Sequence, residues 1–186
     1  MSESKTPGRP PYLPGDRMPD DTARMIRVDQ AGEYGATRIY QGQLAVLRRG
    51  RGAVAVGEMA AQEERHLAQF DRLVRERRVR PTALSPLWHV AGYMLGAATA
   101  VLGERAAMAC TVAVEEVIDE HYARQAEQLG ASDPELAATI ETARADEIAH
   151  RDLALAHDAI EAPGYELLSA AIKTGARVAI WLSERL

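Results

Sequence analysis

The chain has 186 residues, 47% of them hydrophobic, enough for one domain with a sizeable core that needs no cross-links. A net charge of -5 and a pI near 5.6 withhold the basic face that a nucleic-acid partner calls for, so none is expected. Cys110 is the single cysteine; it cannot form an internal disulfide, and its apolar setting, Met108-Ala109-Cys110-Thr111-Val112, reads as packed and inert.

Residues 1–19 carry Pro7, Pro10, Pro11, Pro14 and Pro19 and no apolar run that would serve as a secretory signal, so they read as a flexible tail. From Asp20 onward, apolar residues recur at alternating three- and four-residue steps without any strand-like alternation, which predicts an all-α domain over 20–186. Asp20 and Asp21 suit the start of a first helix that runs to about Gly50, where Gly50-Arg51-Gly52 makes a stop. A second helix is expected over 53–77 and a third, shorter and uncharged, over 87–102, with Gly103 as its break. The fourth spans 104–129 and ends at Gly130. Ser132 or Asp133 caps a fifth that continues to about Ile160, with Pro134 in its first turn. Pro163-Gly164 then precedes a sixth, from Tyr165 to the C-terminus. The arrangement is a four-helix bundle with an additional apolar connector helix and a C-terminal helix.

One pattern occurs twice: a glutamate, then about thirty residues later Glu-x-x-His. The first copy is Glu33 with Glu63 and His66, the second Glu115 with Glu147 and His150. Glu33 and Glu115 stand 82 residues apart, and both the Glu63/Glu147 and His66/His150 pairs 84, which suggests two tandem repeats over about 20–77 and 104–160. On the second helix the apolar stripe reads Val56, Met59, Glu63, His66, Phe70, Leu73. On the fifth it reads Leu136, Ile140, Ala143, Glu147, His150, Ala154, His157. Glu33 shares a stripe with Ile26, Thr37, Tyr40, Leu44 and Leu47, and Glu115 one with Met108, Val112, Tyr122 and Leu129. Four long helices therefore turn carboxylates toward one axis, and no lysine or arginine lies on these stripes. An unpaired buried carboxylate costs several kcal/mol, against a whole-domain stability of about 5–15 kcal/mol, so cations belong there. Four glutamates with two Glu-x-x-His histidines are the ligand set of a carboxylate-bridged dinuclear site, and mixed carboxylate and imidazole ligation suits iron or manganese better than structural zinc.

Neighbouring residues read more plainly. Glu64 and Glu116 lie about 100° round the helix from their ligand neighbours and fit a solvated face. Asp146 is either an acceptor behind a ligand histidine or a surface aspartate. His157 reads as a hydrogen-bonded core histidine and His89 as interfacial. Tyr40 and Tyr122 each follow a ligand glutamate by seven residues; for Tyr40, plain packing is expected. Gly50-Arg51-Gly52-Ala53-Val54-Ala55 matches a loose dinucleotide pattern, but it follows a helix and belongs to no strand-turn-helix unit, so it is set aside. The uncharged third helix is too short for the roughly twenty residues of a bilayer span, which favours a helix lying in one leaflet over a buried connector. Trp88 and Tyr93 suit that interface, and a membrane contact would imply a lipid substrate.

Longer stretches carry a resemblance. Arg27-Val28-Asp29-Gln30-Ala31-Gly32-Glu33-Tyr34-Gly35-Ala36 with Arg38-Ile39-Tyr40, Arg78-Val79-Arg80-Pro81-Thr82 with Pro86-Leu87-Trp88, Ala109-Cys110-Thr111-Val112-Ala113-Val114-Glu115-Glu116, and Arg177-Val178-Ala179-Ile180-Trp181-Leu182-Ser183-Glu184-Arg185-Leu186 resemble the demethoxyubiquinone hydroxylase family of ubiquinone biosynthesis. The likeness covers about 24–186, and Gln30, where many relatives have histidine, is the one small departure. It implies a ferritin-like fold and metal ligands at Glu33, Glu63, His66, Glu115, Glu147 and His150. It also implies an O2-dependent monooxygenase that hydroxylates the ring of a demethoxyquinone or quinol bearing a polyprenyl tail, with two ferrous ions per chain and NADH as electron source. His121 and Tyr122 are then the candidates to lie between the metals and the substrate or reductant. The resemblance further implies a peripheral membrane protein, on the cytoplasmic face of a bacterial membrane or the matrix face of the mitochondrial inner membrane, with a lipid-presenting partner protein and a homo-oligomer as candidate associations. Two other readings compete: a ferritin-like iron oxidase or store, which would close into a large shell, and a non-catalytic lipid-binding scaffold, which would not need the six ligands.

Overall fold

The computed structural model of the protein describes residues 21–130 and 132–186; the tail expected over 1–19 lies outside them. Six α-helices and no strand occur among the described residues: α1 Asp21–Val46, α2 Arg51–Glu76, α3 Ser85–Val101, α4 Glu104–Leu129, α5 Pro134–Leu155 and α6 Tyr165–Ser183, with a single 3-10 turn at Ala159–Glu161. The all-helical bundle read from periodicity is the observed fold, and it is consistent with the ferritin-like fold that the resemblance implies.

The helix boundaries follow local chemistry. Gly50 and Gly103 precede α2 and α4 with φ of 105° and 113°, a region that costs glycine little and other residues more. Asp133 accepts a hydrogen bond from the Leu136 backbone N–H at 3.1 Å, satisfying one of the open donors of α5. The end of α5 corrects the sequence expectation, since the helix stops at Leu155 rather than near Ile160. Asp158 turns the chain with φ of 59°, and aspartate tolerates that left-handed conformation better than most residues. The 3-10 turn then follows without continuing the α period. The first helix is also shorter than expected, closing at Val46.

Two apolar clusters set the helix directions. One joins Ile26 near the start of α1 to Phe70 and Leu73 near the end of α2, Leu129 at the end of α4, and Leu136 and Ile140 at the start of α5. The other joins Tyr40, late in α1, to Val56 and Met59, early in α2, with Met108 and Val112, early in α4, and Ala154, late in α5. So α1 is antiparallel to α2 and to α4, and α4 is antiparallel to α5. Between the two clusters each helix carries its share of the glutamates and histidines, which leaves a polar layer closed above and below by apolar side chains.

The connector α3 returns the chain along α1. A Cβ on Gly96 would lie 1.9 Å from the Ile39 carbonyl oxygen, and one on Gly42 would lie 2.1 Å from that of Tyr93, so the two backbones approach more closely than any larger residue would allow. Only Gly96, Thr99 and Ala100 of α3 are buried. Its outward stripe of Leu87, Val90, Met94 and Val101 is more than half exposed, which excludes the buried-connector alternative. Packed on α4, α6 likewise leaves Leu167, Val178 and Trp181 more than half exposed. No described helix is long and apolar enough to cross a membrane.

Candidate metal centre

All six predicted ligands are buried and come together. Glu33, Glu63, His66 and Glu147 offer ligand atoms within 4.8 Å of one another, and so do Glu63, Glu115, Glu147 and His150. Glu63 and Glu147 belong to both groups. The arrangement is two adjacent ligand clusters that share a pair of carboxylates, with Glu33 and His66 on one flank and Glu115 and His150 on the other.

Hydrogen bonding shows what the layer lacks. Both carboxylate oxygens of Glu63 and of Glu147, Oε2 of Glu115 and Nδ1 of each histidine are buried without a hydrogen-bond partner. Nδ1 of His150 lies 3.1 Å from Glu63 and 3.3 Å from Glu147, and Nδ1 of His66 lies 3.3 Å from Glu147 and 3.7 Å from Glu33. These distances are short enough for an ion pair, yet the atoms are not aligned as donor and acceptor. Lone pairs that converge on common points, and not on each other, are what a cation between them requires. The residues present fit two metal ions.

Without cations, burial and mutual repulsion favour the protonated form of these carboxyls. Burial and then the charge of Glu63 push Glu33 well up, and burial and the charge of Glu147 do the same to Glu115. Burial and Glu147 raise Glu63 to about 7. Burial pulls the His150 imidazole down, but the neighbouring carboxyls of Glu147, Glu63 and Glu115 outweigh it and push it up to about 10. This is the expected behaviour of like charges confined in one dry volume.

The supporting residues cross between helices. Tyr122, seven residues after Glu115, donates its hydroxyl to Glu33, and Tyr40, seven after Glu33, donates to Glu115 at 2.7 Å. The packing role expected for Tyr40 is therefore corrected: it is buried and its hydroxyl holds a ligand glutamate. Behind the histidines, Nε2 of His66 meets Asp146 at 2.9 Å and Nε2 of His150 meets Gln62 at 3.3 Å. Burial pushes the Asp146 carboxyl up, but the hydrogen bond from His66 and the nearby Gln62 amide outweigh it and hold it below the usual range. Sequence reasoning missed Gln62, although its place one residue before Glu63 matches that of Asp146 before Glu147.

His121 is less direct. It sits beside Tyr122 in the sequence but bonds away from the carboxylate layer, with Nε2 2.8 Å from the Gln125 amide and 3.3 Å from Asp29. With Arg24, Val28, Arg124 and Glu184 it lines a cleft between α1, α4 and α6. Asp29 and Gln125, both buried, gave no signal in the apolar periodicity. Elsewhere, Glu64 is exposed as expected, whereas Glu116 pairs with Lys173. His157 meets Glu104 at 3.2 Å, and His89 shares a 2.6 Å hydrogen bond with Tyr34. The Cys110 thiol is buried and pushed up to about 12, inert as its setting suggested.

A helical bundle that buries four glutamates and two histidines in one layer defines the ferritin-like class of carboxylate-rich metal proteins. Within that class, residues 20–183 match the family model described as ubiquinone biosynthesis protein COQ7, and the chain belongs to that family. It is 58% identical over 176 residues to a 3-demethoxyubiquinol 3-hydroxylase of Rhodospirillum rubrum, covering 94% of this chain and 83% of the relative. Over 167 residues it is 53% identical to the human mitochondrial NADPH-dependent 3-demethoxyubiquinone 3-hydroxylase, covering 88% and 77%. The 5-demethoxyubiquinone hydroxylase of Saccharomyces cerevisiae mitochondria is 42% identical over 180 residues, covering 88% and 77%.

Proposed function

We propose that this chain is an O2-dependent hydroxylase of a demethoxyubiquinol-type ring that carries a polyprenyl tail. The domain spans 20–186 as two repeats over about 20–77 and 104–160, with two iron ions held by Glu33, Glu63, His66, Glu115, Glu147 and His150. The observation that carries the reading is the pair of ligand clusters that share Glu63 and Glu147, with their inward oxygens and Nδ1 atoms lacking any hydrogen-bond partner. The relatives named as hydroxylases favour this over an iron store. When bound, the iron pair supplies the oxygen-activating redox chemistry.

The protein's own residues do the rest. Tyr40 and Tyr122 fix the two flanking glutamates and keep their phenolic protons, because burial and the nearby carboxylates push both hydroxyls well up. The apolar clusters above and below the layer keep bulk water from it. Asp146 and Gln62 hold each imidazole with Nδ1 facing inward.

The exposed stripes of α3 and α6 suit a peripheral position in one membrane leaflet, where a polyprenyl tail would be met. A second copy of the chain or a lipid-presenting partner would meet the same stripes. A reduced nicotinamide nucleotide supplies electrons in this reading. NADH is the sequence-based expectation, but the human relative's name gives NADPH, so both donors belong in the assay.

The test is complementation. In a strain whose own hydroxylase is deleted and which accumulates the demethoxy intermediate, this chain should restore the mature quinone by mass spectrometry, and Glu147→Ala should not. Accumulation that persists with the intact, iron-loaded chain would sink the reading.

A further inference from the structure

Gln62 and Asp146 each precede the glutamate of a Glu-x-x-His and each stand behind the histidine of the other copy. Two outer pairs on α2 and α5 thus flank the metal layer: His66 with Asp146, and His150 with Gln62.

The direction of each bond follows from donor and acceptor inventory. An ionised Asp146 only accepts, so it takes Nε2–H from His66. The Gln62 carbonyl oxygen faces His150 at 3.3 Å and also only accepts, so His150 donates its own Nε2–H. Both imidazoles then carry a proton on the outer nitrogen, and Nδ1 is the nitrogen left to face a metal ion. The two pairs are symmetric in position but not in charge. His66 leans on a carboxylate at 2.9 Å, and His150 on a neutral amide at 3.3 Å. A charge-assisted hydrogen bond is shorter and about twice as strong as a neutral one, and a carboxylate behind an imidazole raises its basicity as a ligand. Nothing comparable separates the flanking glutamates, since each is held by a tyrosine.

We propose that this difference between the outer partners ranks the two metal positions: the ion held by Glu33, Glu63, His66 and Glu147 binds first and more tightly than the ion held by Glu63, Glu115, Glu147 and His150. Asp146 and Gln62 are positioning residues that act through the histidines. The inference rests on the two-metal reading and adds an order of filling to it.

The test is an anaerobic titration of the metal-stripped full chain with Co(II), followed by calorimetry and by NMR of assigned, 15N-labelled histidine side chains. The intact chain should bind two equivalents in two steps, with His66 perturbed in the first and His150 in the second. Asp146→Asn keeps the shape and an acceptor but removes the charge. It should weaken the first step about 10- to 100-fold and merge the two, while Asp146→Glu restores the separation. Gln62→Leu should weaken the second step alone. If two equivalents bind but His150 responds first, or if Asp146→Asn alters both steps alike or neither, the ranking is wrong. The order of histidine signals in the intact chain decides the question even if a variant does not fold. Failure to bind two equivalents at all would instead strike the two-metal reading.

Discussion

Tyr40, on the first helix, donates its hydroxyl to Glu115 on the fourth at 2.7 Å, and Tyr122, on the fourth, returns the same bond to Glu33 on the first. Each tyrosine follows the glutamate of its own helix by two helical turns and holds the glutamate of the other helix. The pair therefore ties the two antiparallel halves together at the level of the ligands, where direct packing of carboxylates against each other would be unfavourable.

Removing one of these hydroxyls should cost more than a methyl-sized packing change. Tyr40→Phe leaves Glu115 Oε1 buried without its donor, so a loss of about 1–3 kcal/mol is expected from urea unfolding of the metal-loaded protein. Tyr122→Phe should behave alike. A loss below a few tenths of a kcal/mol in both would mean that the hydroxyls are incidental to the layer.

The metal-stripped protein should become less stable as pH rises. Glu63 has a folded pKa of about 7, above the roughly 4.3 of an unfolded glutamate, so its contribution is fully present below pH 4.3 and is lost as pH rises through 7. His150, at about 10 against about 6.5 unfolded, acts in the same direction, its contribution being lost as pH rises through 10. Thermal unfolding in chelator should thus show a falling Tm between about pH 5 and pH 10. Metal ions, which take the place of these protons, should flatten the profile. A chelated Glu63→Gln variant should have a shallower slope below pH 7, with Glu33 and Glu115 supplying the remainder, and an unchanged slope there would contradict the assignment.

Asp133 provides an acid-side counterpart far from the metal layer. Its hydrogen bond from Arg77, aided by the Leu136 N–H despite some burial, holds its carboxyl below the usual range. The sign is opposite to that of Glu63: the contribution is present above the unfolded pKa of about 3.9 and is lost as pH falls through the lower folded value. Asp133→Ala should cost about 0.5–2 kcal/mol at neutral pH, as the loss of an N-cap does. The difference from the intact chain should shrink below pH 4; a difference that persists at pH 2 would assign the effect to helix propensity instead.

The six clustered glutamates and histidines were legible as candidates because each interrupts an apolar stripe at a position that helical phase turns inward, and burial of an uncompensated carboxylate has only a few solutions. Asp133 as a cap and Pro134 in the first turn of α5 were legible for the same local reason. The tyrosine exchange was not, because periodicity reports which face a residue occupies and not which helix lies opposite. Tyr40 and Glu115 are 75 residues apart, and only the antiparallel packing of α1 and α4 brings them together. Gln62 and Asp29 escaped because a polar residue beside a stripe looks solvated until a partner helix covers it. The end of α5 escaped because Ile160 continues the apolar period past the turn that Asp158 makes.

The close crossing of α1 and α3 sets a further limit. At Gly96 any Cβ meets the Ile39 backbone, which cannot move aside as a flexible side chain would. Gly96→Val should therefore push α3 away and destabilise by about 1–3 kcal/mol, as overpacking does. Gly57, where a Cβ meets nothing within 4 Å, is the matched control, and Gly57→Ala should be neutral or slightly stabilising through helix propensity. Equal effects at both positions would remove the case for a constrained crossing.

The exposed stripe of α3 is the face that would meet a membrane leaflet. Val90 and Met94 lie one turn apart on that face and are each 59% exposed, so aspartates there disturb little of the fold while placing two charges where a leaflet would receive apolar side chains. Insertion of a carboxylate into the hydrocarbon region is costly, by about 2.5–3.5 kcal/mol at its centre. Even a fraction of that cost per residue makes the combined Val90→Asp and Met94→Asp variant at least about tenfold weaker in binding to vesicles in a flotation assay. Metal content and far-ultraviolet circular dichroism should stay unchanged, which separates lost membrane contact from lost structure. Equal flotation of the variant and the intact chain would move the membrane contact off α3, and the stripe of Leu167, Val178 and Trp181 on α6 would then be the face to charge next.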